Sequence, residues 1–219
     1  MKATILFIWV FLFTSNLDLF DKQCDNIEHE IINSILLDYI GNDPIGHFPP
    51  PPPILPNASI KDSTAYRKYL KEYEKAKVEF RTKRKVVFLN DTLFDYKDNM
   101  FDELIKDNNP GLQNIDEYKQ LLISLTTIKR ESKLLNIKLI ENCGDYEFEY
   151  ISKSDSLTGN FVTVANIYIS RMVLNENLDK ACFYLGYHCG KKCGYGRIIY
   201  VAKQNNKWVI VKKDELWVS

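Results

Sequence analysis

The sequence lacks the short motifs that mark the commonest catalytic sites. It contains no G-x-S-x-G, no H-E-x-x-H, no P-loop and no glycine-rich dinucleotide pattern. Histidine is scarce as well, since the chain has only His29, His47 and His188. Catalysis by a histidine acid or base therefore has few candidates. From these patterns we predict no catalytic residue, no metal ligand and no cofactor.

Net charge is also absent, because 29 Lys and Arg residues balance 29 Asp and Glu residues. No overall field attracts nucleic acid or anionic lipid, so a charged partner would have to bind locally. At 219 residues, of which 45% are hydrophobic, the chain can bury one moderate core or two small ones. We expect one main domain with an N-terminal appendage.

A hydrophobic run long enough to span a bilayer is missing too. Lys2 precedes an apolar run over residues 3–13, about 11 residues against the roughly 20 that a spanning helix needs. The pattern is typical of an export signal, so we expect a periplasmic, envelope or secreted protein. Residues 1–15 are then the signal or, if uncleaved, a membrane anchor through residues 3–13. A buried N-terminal helix and a lipid-modified Cys24 are the alternatives.

Two segments follow this signal. Residues 16–41 predict an amphipathic helix with Ile27, Ile31 and Ile35 on its apolar face and a solvated His29 on its polar side. Residues 42–62 predict a proline-rich linker, because five consecutive prolines at residues 49–53 exclude helix and inner strand and favour a stiff polyproline II spacer. Residues 63–219 then form the main domain.

The main domain begins with a predicted helix over residues 63–85. Its aromatic residues recur at steps of three and four, a pattern that more often faces a core than a ligand. They are Tyr66, Tyr69, Tyr73 and Phe80. The outer face is basic over residues 67–85, which include Arg67 and Lys85. We interpret it as a solvated face; an anionic polymer, a lipid surface or an envelope protein is the alternative partner, and export argues against nucleic acid.

Further along, residues 86–89 predict a buried strand, and the acidic loop after it lacks the Asp-x-Asp ladder of a calcium site. Asn114 is placed to cap a second helix of the main domain. The apolar stripe of that helix consists of Ile115, Tyr118, Leu121, Leu122, Leu125 and Ile128.

From residue 135 the hydrophobic period changes from helical to two. The predicted strands cover residues 135–140, 146–152, 161–170, 181–188, 196–203 and 207–218. Their short connections suit antiparallel hairpins and not parallel crossovers. The predicted fold class is α+β, with N-terminal helices followed by a C-terminal antiparallel β-meander.

Export also decides how the five cysteines are interpreted, because thiols pair in an oxidising compartment. The disulfide candidates are Cys143, Cys182, Cys189 and Cys193. The last two belong to C-G-K-K-C-G-Y-G, residues 189–196, between two predicted strands. A zinc pair completed by Cys143 or His188 and a redox pair are alternative interpretations, but their usual spacings differ. We favour a turn pinned by its cysteines.

The chain ends with a distinctive succession: a strand with Ser-Arg, a Cys-Gly/Cys-Gly turn, a lysine-containing hairpin and a terminal Trp-x-Ser. The positions concerned are Ser170, Arg171, Asn175, Cys189, Gly190, Cys193, Gly194, Gly196, Lys203, Lys207, Trp208, Trp217 and Ser219. This succession resembles the ending of a group of small, uncharacterised exported bacterial proteins, from which the chain departs at Asn206, Lys191 and Lys192. The resemblance covers roughly the last 50 residues, implies export and architecture, and assigns no role to any residue.

Three functions are consistent with these patterns. The first is a non-enzymatic binding or structural module of the cell envelope, whose meander and cysteine turn present a surface to a partner. The second is an envelope hydrolase using Glu147 and Glu149, although alternating glutamates on a strand usually mark a solvated face. The third is a membrane-anchored structural protein that the proline spacer holds away from the bilayer.

Overall fold

The computed structural model describes residues 24, 26–36, 38–41, 60–96, 115–141, 145–190 and 193–219. The predicted signal at residues 1–15, the prolines at residues 49–53 and Cys143 lie outside the described residues. Within the described ranges, no helix combines the length and the apolar character that crossing a bilayer requires.

Three helices and nine strands are described. The first helix, α1, covers residues 24, 26–36 and 38–40. The others are α2 (Ile60–Thr82) and α3 (Ile115–Thr127). The strands are β1 (Arg84–Leu89), β2 (Thr92–Leu93), β3 (Lys133–Leu134), β4 (Tyr146–Tyr150), β5 (Phe161–Ile169), β6 (Val173–Leu174), β7 (Lys180–Gly190), β8 (Cys193–Gln204) and β9 (Lys207–Val218).

One large sheet organises the fold. Its strand order is β4-β1-β5-β7-β8-β9, with β6 paired to β7, while β2 and β3 form a separate antiparallel pair. Antiparallel pairs join β5 to β7, β7 to β8 and β8 to β9. Helices combined with a large, mostly antiparallel sheet confirm the α+β class.

The expectation that short connections exclude parallel crossovers is wrong for β4 and β5. Both strands pair in parallel with β1, which lies between them. The ten-residue connection 151–160 therefore crosses over β1, and its 3-10 helix Ile151–Ser156 makes it compact. The sequence shows the length of this connection, but it does not show that β1, some 60 residues upstream, lies between β4 and β5.

The strand predicted over residues 135–140 is also wrong. Here the chain forms a 3-10 helix, Ile137–Leu139, whose start is capped because Asn136 Oδ1 accepts a hydrogen bond from the Lys138 N–H. The hydroxyl of Tyr150 donates to the Leu135 carbonyl and accepts from the Ile137 N–H. These local side-chain bonds replace strand pairing for this backbone.

The sheet buries both of its faces. Along β7, Ala181, Phe183 and Leu185 pack on the face that α1 covers, and Cys182 and Tyr184 on the face that α3 covers. This alternation is the period of two expected for a strand with both faces enclosed. The predicted stripe of α3 is confirmed, since Tyr118, Leu121, Leu122 and Leu125 are buried; Ile128 lies beyond the helix end and is exposed.

Helix α1 belongs to the same core as the sheet. Ile27, Ile31 and Ile35 are buried there, as the apolar pattern predicts. The prediction of a solvated His29 is wrong, because this residue is only 7% exposed. The neighbouring Glu28 is buried as well, so α1 is enclosed over a wider arc than its apolar stripe. Polar residues at the edge of a stripe are buried when neighbouring segments pack around the helix.

In helix α2, by contrast, residues that were predicted to face the core are not buried. None of its described side chains is buried, and Tyr69 is 42% exposed, so its aromatic stripe does not face the core. The stripe is periodic, but periodicity reports only that a helix has an apolar side, not what covers it.

Candidate functional site

A cavity of about 400 Å³ opens on the α3 side of the sheet. We name it the aromatic pocket. Its described lining consists of Phe94, Asp95, Tyr96, Tyr168, Tyr184 and His188. Four of these six residues are phenylalanine or tyrosine, so the walls are mainly aromatic, with a carboxylate and an imidazole among them.

Two strands of the sheet supply one side of the aromatic pocket. Tyr184 and His188 stand four residues apart on β7 and therefore on the same face, and Tyr168 comes from the neighbouring β5. Gly186 lies between the two β7 residues. A Cβ added there would lie 3.0 Å from the Tyr184 hydroxyl oxygen, so the missing side chain lets the tyrosine ring lie against the strand.

The segment after β2 supplies the other side. Phe94 is fixed to the end of β5 by its own N–H, which donates to the Ile169 carbonyl, and by its carbonyl, which accepts from the Arg171 N–H at 2.8 Å. Asp95 is fixed by its Oδ1 atom, which accepts from the Arg130 N–H at 3.1 Å. The backbone of this segment is thus tied to the sheet and to the chain that follows α3.

The aromatic rings hold one another in defined orientations. Tyr96 stacks on Tyr184 with a centroid separation of 4.8 Å, while Phe94 meets the same ring edge-on at 5.9 Å. Tyr168 meets His188 edge-on at 5.5 Å. Offset stacking and edge-to-face contacts are the preferred aromatic geometries, so the lining is packed before any ligand arrives.

The C-terminus packs against two residues of the aromatic pocket. The indole of Trp217 lies 5.1 Å from the His188 ring, and its Nε1–H donates to the Tyr184 hydroxyl at 3.2 Å. Ser219 exchanges two backbone hydrogen bonds with Gly194, which anchors the chain end beside the turn. The terminal Trp-x-Ser and the glycines of the turn therefore meet at one place.

The turn itself agrees with the sequence prediction. Cys189 and Cys193 lie at disulfide-bonding distance, with their Cα atoms 5.1 Å apart. Cys182, another disulfide candidate, forms no bond with a described cysteine. Its thiol is fully buried in β7, and burial raises the pKa of this thiol, so it remains a neutral core side chain.

We expect removal of the Cys189–Cys193 bond to lower the free energy of unfolding by no more than about 2 kcal/mol, because the closed loop is short. Urea unfolding of Cys189→Ser/Cys193→Ser with and without reductant measures this. The reductant should affect the native protein and leave the double variant unchanged. A loss as large as that of a buried ion pair would contradict a purely local role.

Two residues of the C-terminal succession that carries the family resemblance, Ser170 and Asn175, support the sheet rather than line the pocket. Ser170 Oγ accepts from the Tyr184 N–H and donates to the Arg171 carbonyl, so it joins β5 to β7. Asn175 Oδ1 accepts from the N–H groups of Asp179 and Lys180 and shapes the turn before β7. These residues fix the strands on which the pocket depends.

The proposed carboxylate pair lies elsewhere. Glu147 and Glu149 are on β4, at the edge of the sheet three strands away from β7. The Arg84 guanidinium binds the Glu147 carboxylate and holds its pKa below the usual value. A general acid for glycoside hydrolysis needs a raised pKa, so this environment suits a structural ion pair better than catalysis.

The exposed basic surface predicted over residues 67–85 is smaller in the structure. Lys85, predicted to be on the outer surface, is only 7% exposed, and its ammonium group donates to the Arg81 carbonyl. Arg84 is paired with Glu147. The exposed positive charges that remain therefore belong to the helix before β1, including Arg67, Lys68 and Lys71.

Sequence reasoning missed the aromatic pocket as a site. Tyr184 and His188 have the spacing of one strand face, but nothing local connects them with Phe94 and Tyr96, some 90 residues upstream. Across the residues that the structure describes, no group of three His, Cys, Asp or Glu side chains is placed to hold a metal ion. Comparison with models of protein families, with curated proteins and with solved structures finds no match to this chain.

Proposed function

We propose that this chain is an exported, non-enzymatic binding protein, and that the aromatic pocket is its binding site. The observation that carries the proposal is the convergence of two distant parts of the chain on one cavity: the segment after β2 and the β5–β7 pair. Trp217 supports this lining through its contacts with Tyr184 and His188. A cavity of about 400 Å³ is within the usual range for a small-molecule site.

The chemistry of the lining supports binding rather than hydrolysis. Ligand pockets are typically apolar or aromatic with a few polar groups that orient the ligand, and here Asp95, His188 and the tyrosine hydroxyls are the polar groups. Among the described lining residues Asp95 is the single carboxylate, whereas glycoside hydrolysis uses two. Glu147 cannot serve as the second, because three strand spacings of about 4.8 Å separate β4 from β7.

Export is part of this proposal. It is supported by the apolar run at residues 3–13 and by the bonding geometry of Cys189 and Cys193, since disulfides persist mainly in oxidising compartments. The bonded turn directly follows His188, so oxidation stabilises the end of the strand that carries two pocket residues.

The proposal predicts that a small organic ligand perturbs the pocket and no other part of the surface. The test is an NMR screen of cationic, neutral and anionic compounds against the exported chain. A compound that binds is expected to change the chemical shifts of Tyr168, Tyr184 and His188 most strongly. Tyr168→Ala should weaken binding by about tenfold or more, which corresponds to roughly 1.4 kcal/mol of lost contact.

The matched control is Tyr69→Ala, which removes an exposed tyrosine on α2, outside the pocket. It is expected to leave affinity within about twofold, because it removes no pocket contact. Shifts that map to α2 instead, or binding that Tyr168→Ala leaves unchanged, would show that the pocket is not the site.

A further inference from the structure

The aromatic pocket combines ring faces with one fixed carboxylate. Phe94, Tyr96, Tyr168 and Tyr184 contribute four aromatic rings to the lining, and the face of an aromatic ring carries negative partial charge. Asp95 is the residue of formal charge among the described lining, and no described lysine or arginine is part of it. The described lining therefore combines aromatic rings with one carboxylate, whose charge also acts on the neighbouring Arg130 guanidinium.

From this lining we propose that the ligand of the pocket is a small organic cation, of the quaternary ammonium type. The inference rests on the proposed function, because it assigns a chemistry to the same site. Aromatic faces attract a cation electrostatically, and a methylated ammonium group also buries apolar surface. A neutral polyol can donate hydrogen bonds to the carboxylate, but it carries no formal positive charge for the ring quadrupoles to attract.

Ring orientation supports this ligand class. A cation is best held when aromatic faces approach it from different directions. Tyr96 and Tyr184 stack at 16° to one another, but the Phe94 ring lies at 70° to the Tyr184 ring and the Tyr168 ring at 84° to the His188 ring. The lining as a whole is therefore not one flat stacking platform. A flat platform would instead suit the face of a sugar or a nucleobase.

The carboxylate is held in place by the backbone. Its Oδ1 accepts from the Arg130 N–H at 3.1 Å, while the Arg130 guanidinium donates to the Met172 carbonyl at 2.6 Å. Burial, followed by the nearby Arg171 charge, lowers the pKa of Arg130. Asp95 is thus positioned by a hydrogen bond that an asparagine at the same position could also accept.

Choline and its uncharged carbon isostere, dimethylbutanol, provide the matched probes, since they differ only in whether the central atom is charged nitrogen or carbon. We expect choline to bind the full chain about tenfold more tightly than the isostere. Asp95→Asn should weaken choline binding by about tenfold and change isostere binding by less than about twofold. Choline affinity should also fall as salt rises, and isostere affinity should not.

The outcomes distinguish a failure of the cation assignment from a failure of the proposed binding function. Equal affinity for choline and isostere, or an equal effect of Asp95→Asn on both, overturns the cation assignment while the binding pocket stands. Pocket shifts produced by a neutral sugar such as glucose, without any from choline, also overturn the cation assignment alone. Absence of pocket shifts with every compound overturns the proposed function itself. The salt dependence, measured on the native chain, remains decisive even where Asp95→Asn unfolds.

Discussion

Glu28→Ala is expected to lower the free energy of unfolding by about 3–5 kcal/mol, the loss typical of removing one partner of a buried ion pair. The Glu28 side chain is only 2% exposed, and its Oε1 accepts from Arg171 Nε at 3.0 Å and from the Met172 N–H at 3.1 Å. Without the carboxylate, both the Arg171 guanidinium charge and a buried N–H lose an acceptor. Urea unfolding of the full chain measures the loss.

Glu30→Ala provides the control on the same helix. Its Oε2 accepts from Lys203 Nζ and Trp208 Nε1, both at 3.1 Å, but its side chain is 55% exposed. Because water solvates this carboxylate, the expected loss is below about 1 kcal/mol. Glu28→Leu combined with Arg171→Leu should recover part of the stability, since it removes both charges of the pair but still leaves the Met172 N–H without its acceptor. Equal losses for Glu28→Ala and Glu30→Ala would contradict the buried pair.

Gly196→Ala is expected to cost about 2–3 kcal/mol of unfolding free energy, the upper part of the usual range for overpacking. A Cβ at this position would lie 2.0 Å from Trp217 Nε1 and 2.5 Å from its Cε2 atom. The indole would have to leave the strand, and with it would go the hydrogen bond to Tyr184 and the contact with His188. Thermal unfolding and tryptophan fluorescence would report the change.

A double-variant cycle tests whether Trp217 is the cause. In a Trp217→Ala background, Gly196→Ala should cost less than about 1 kcal/mol, because the atoms that it would meet are gone. Additive losses would show that the glycine is required by its own backbone and not by the indole. The cycle also bears on the pocket, since Trp217 supports the hydroxyl of Tyr184.

The features predicted correctly from the sequence are those set by interactions between residues close together in the chain. The β7–β8–β9 hairpins follow from alternating apolar residues and short turns, and the pairing of Cys189 with Cys193 follows from the glycines and strands around them. The stripe of α3 is confirmed for the same reason. Periodicity and turn chemistry act over a few residues, so they are visible in the sequence.

Interactions between distant segments decided the rest. The insertion of β1 between β4 and β5, the burial of Glu28 and His29, and the exposure of Tyr69 on α2 each depend on which segment packs against which. Phe94 and Tyr184 line one pocket because the segment after β2 bonds to the end of β5, next to β7. Sequence alone thus determined the α+β class and the cysteine turn, because both arise from short-range patterns. The aromatic pocket was decided by tertiary structure, because only long-range pairing brings its ring faces and its carboxylate together.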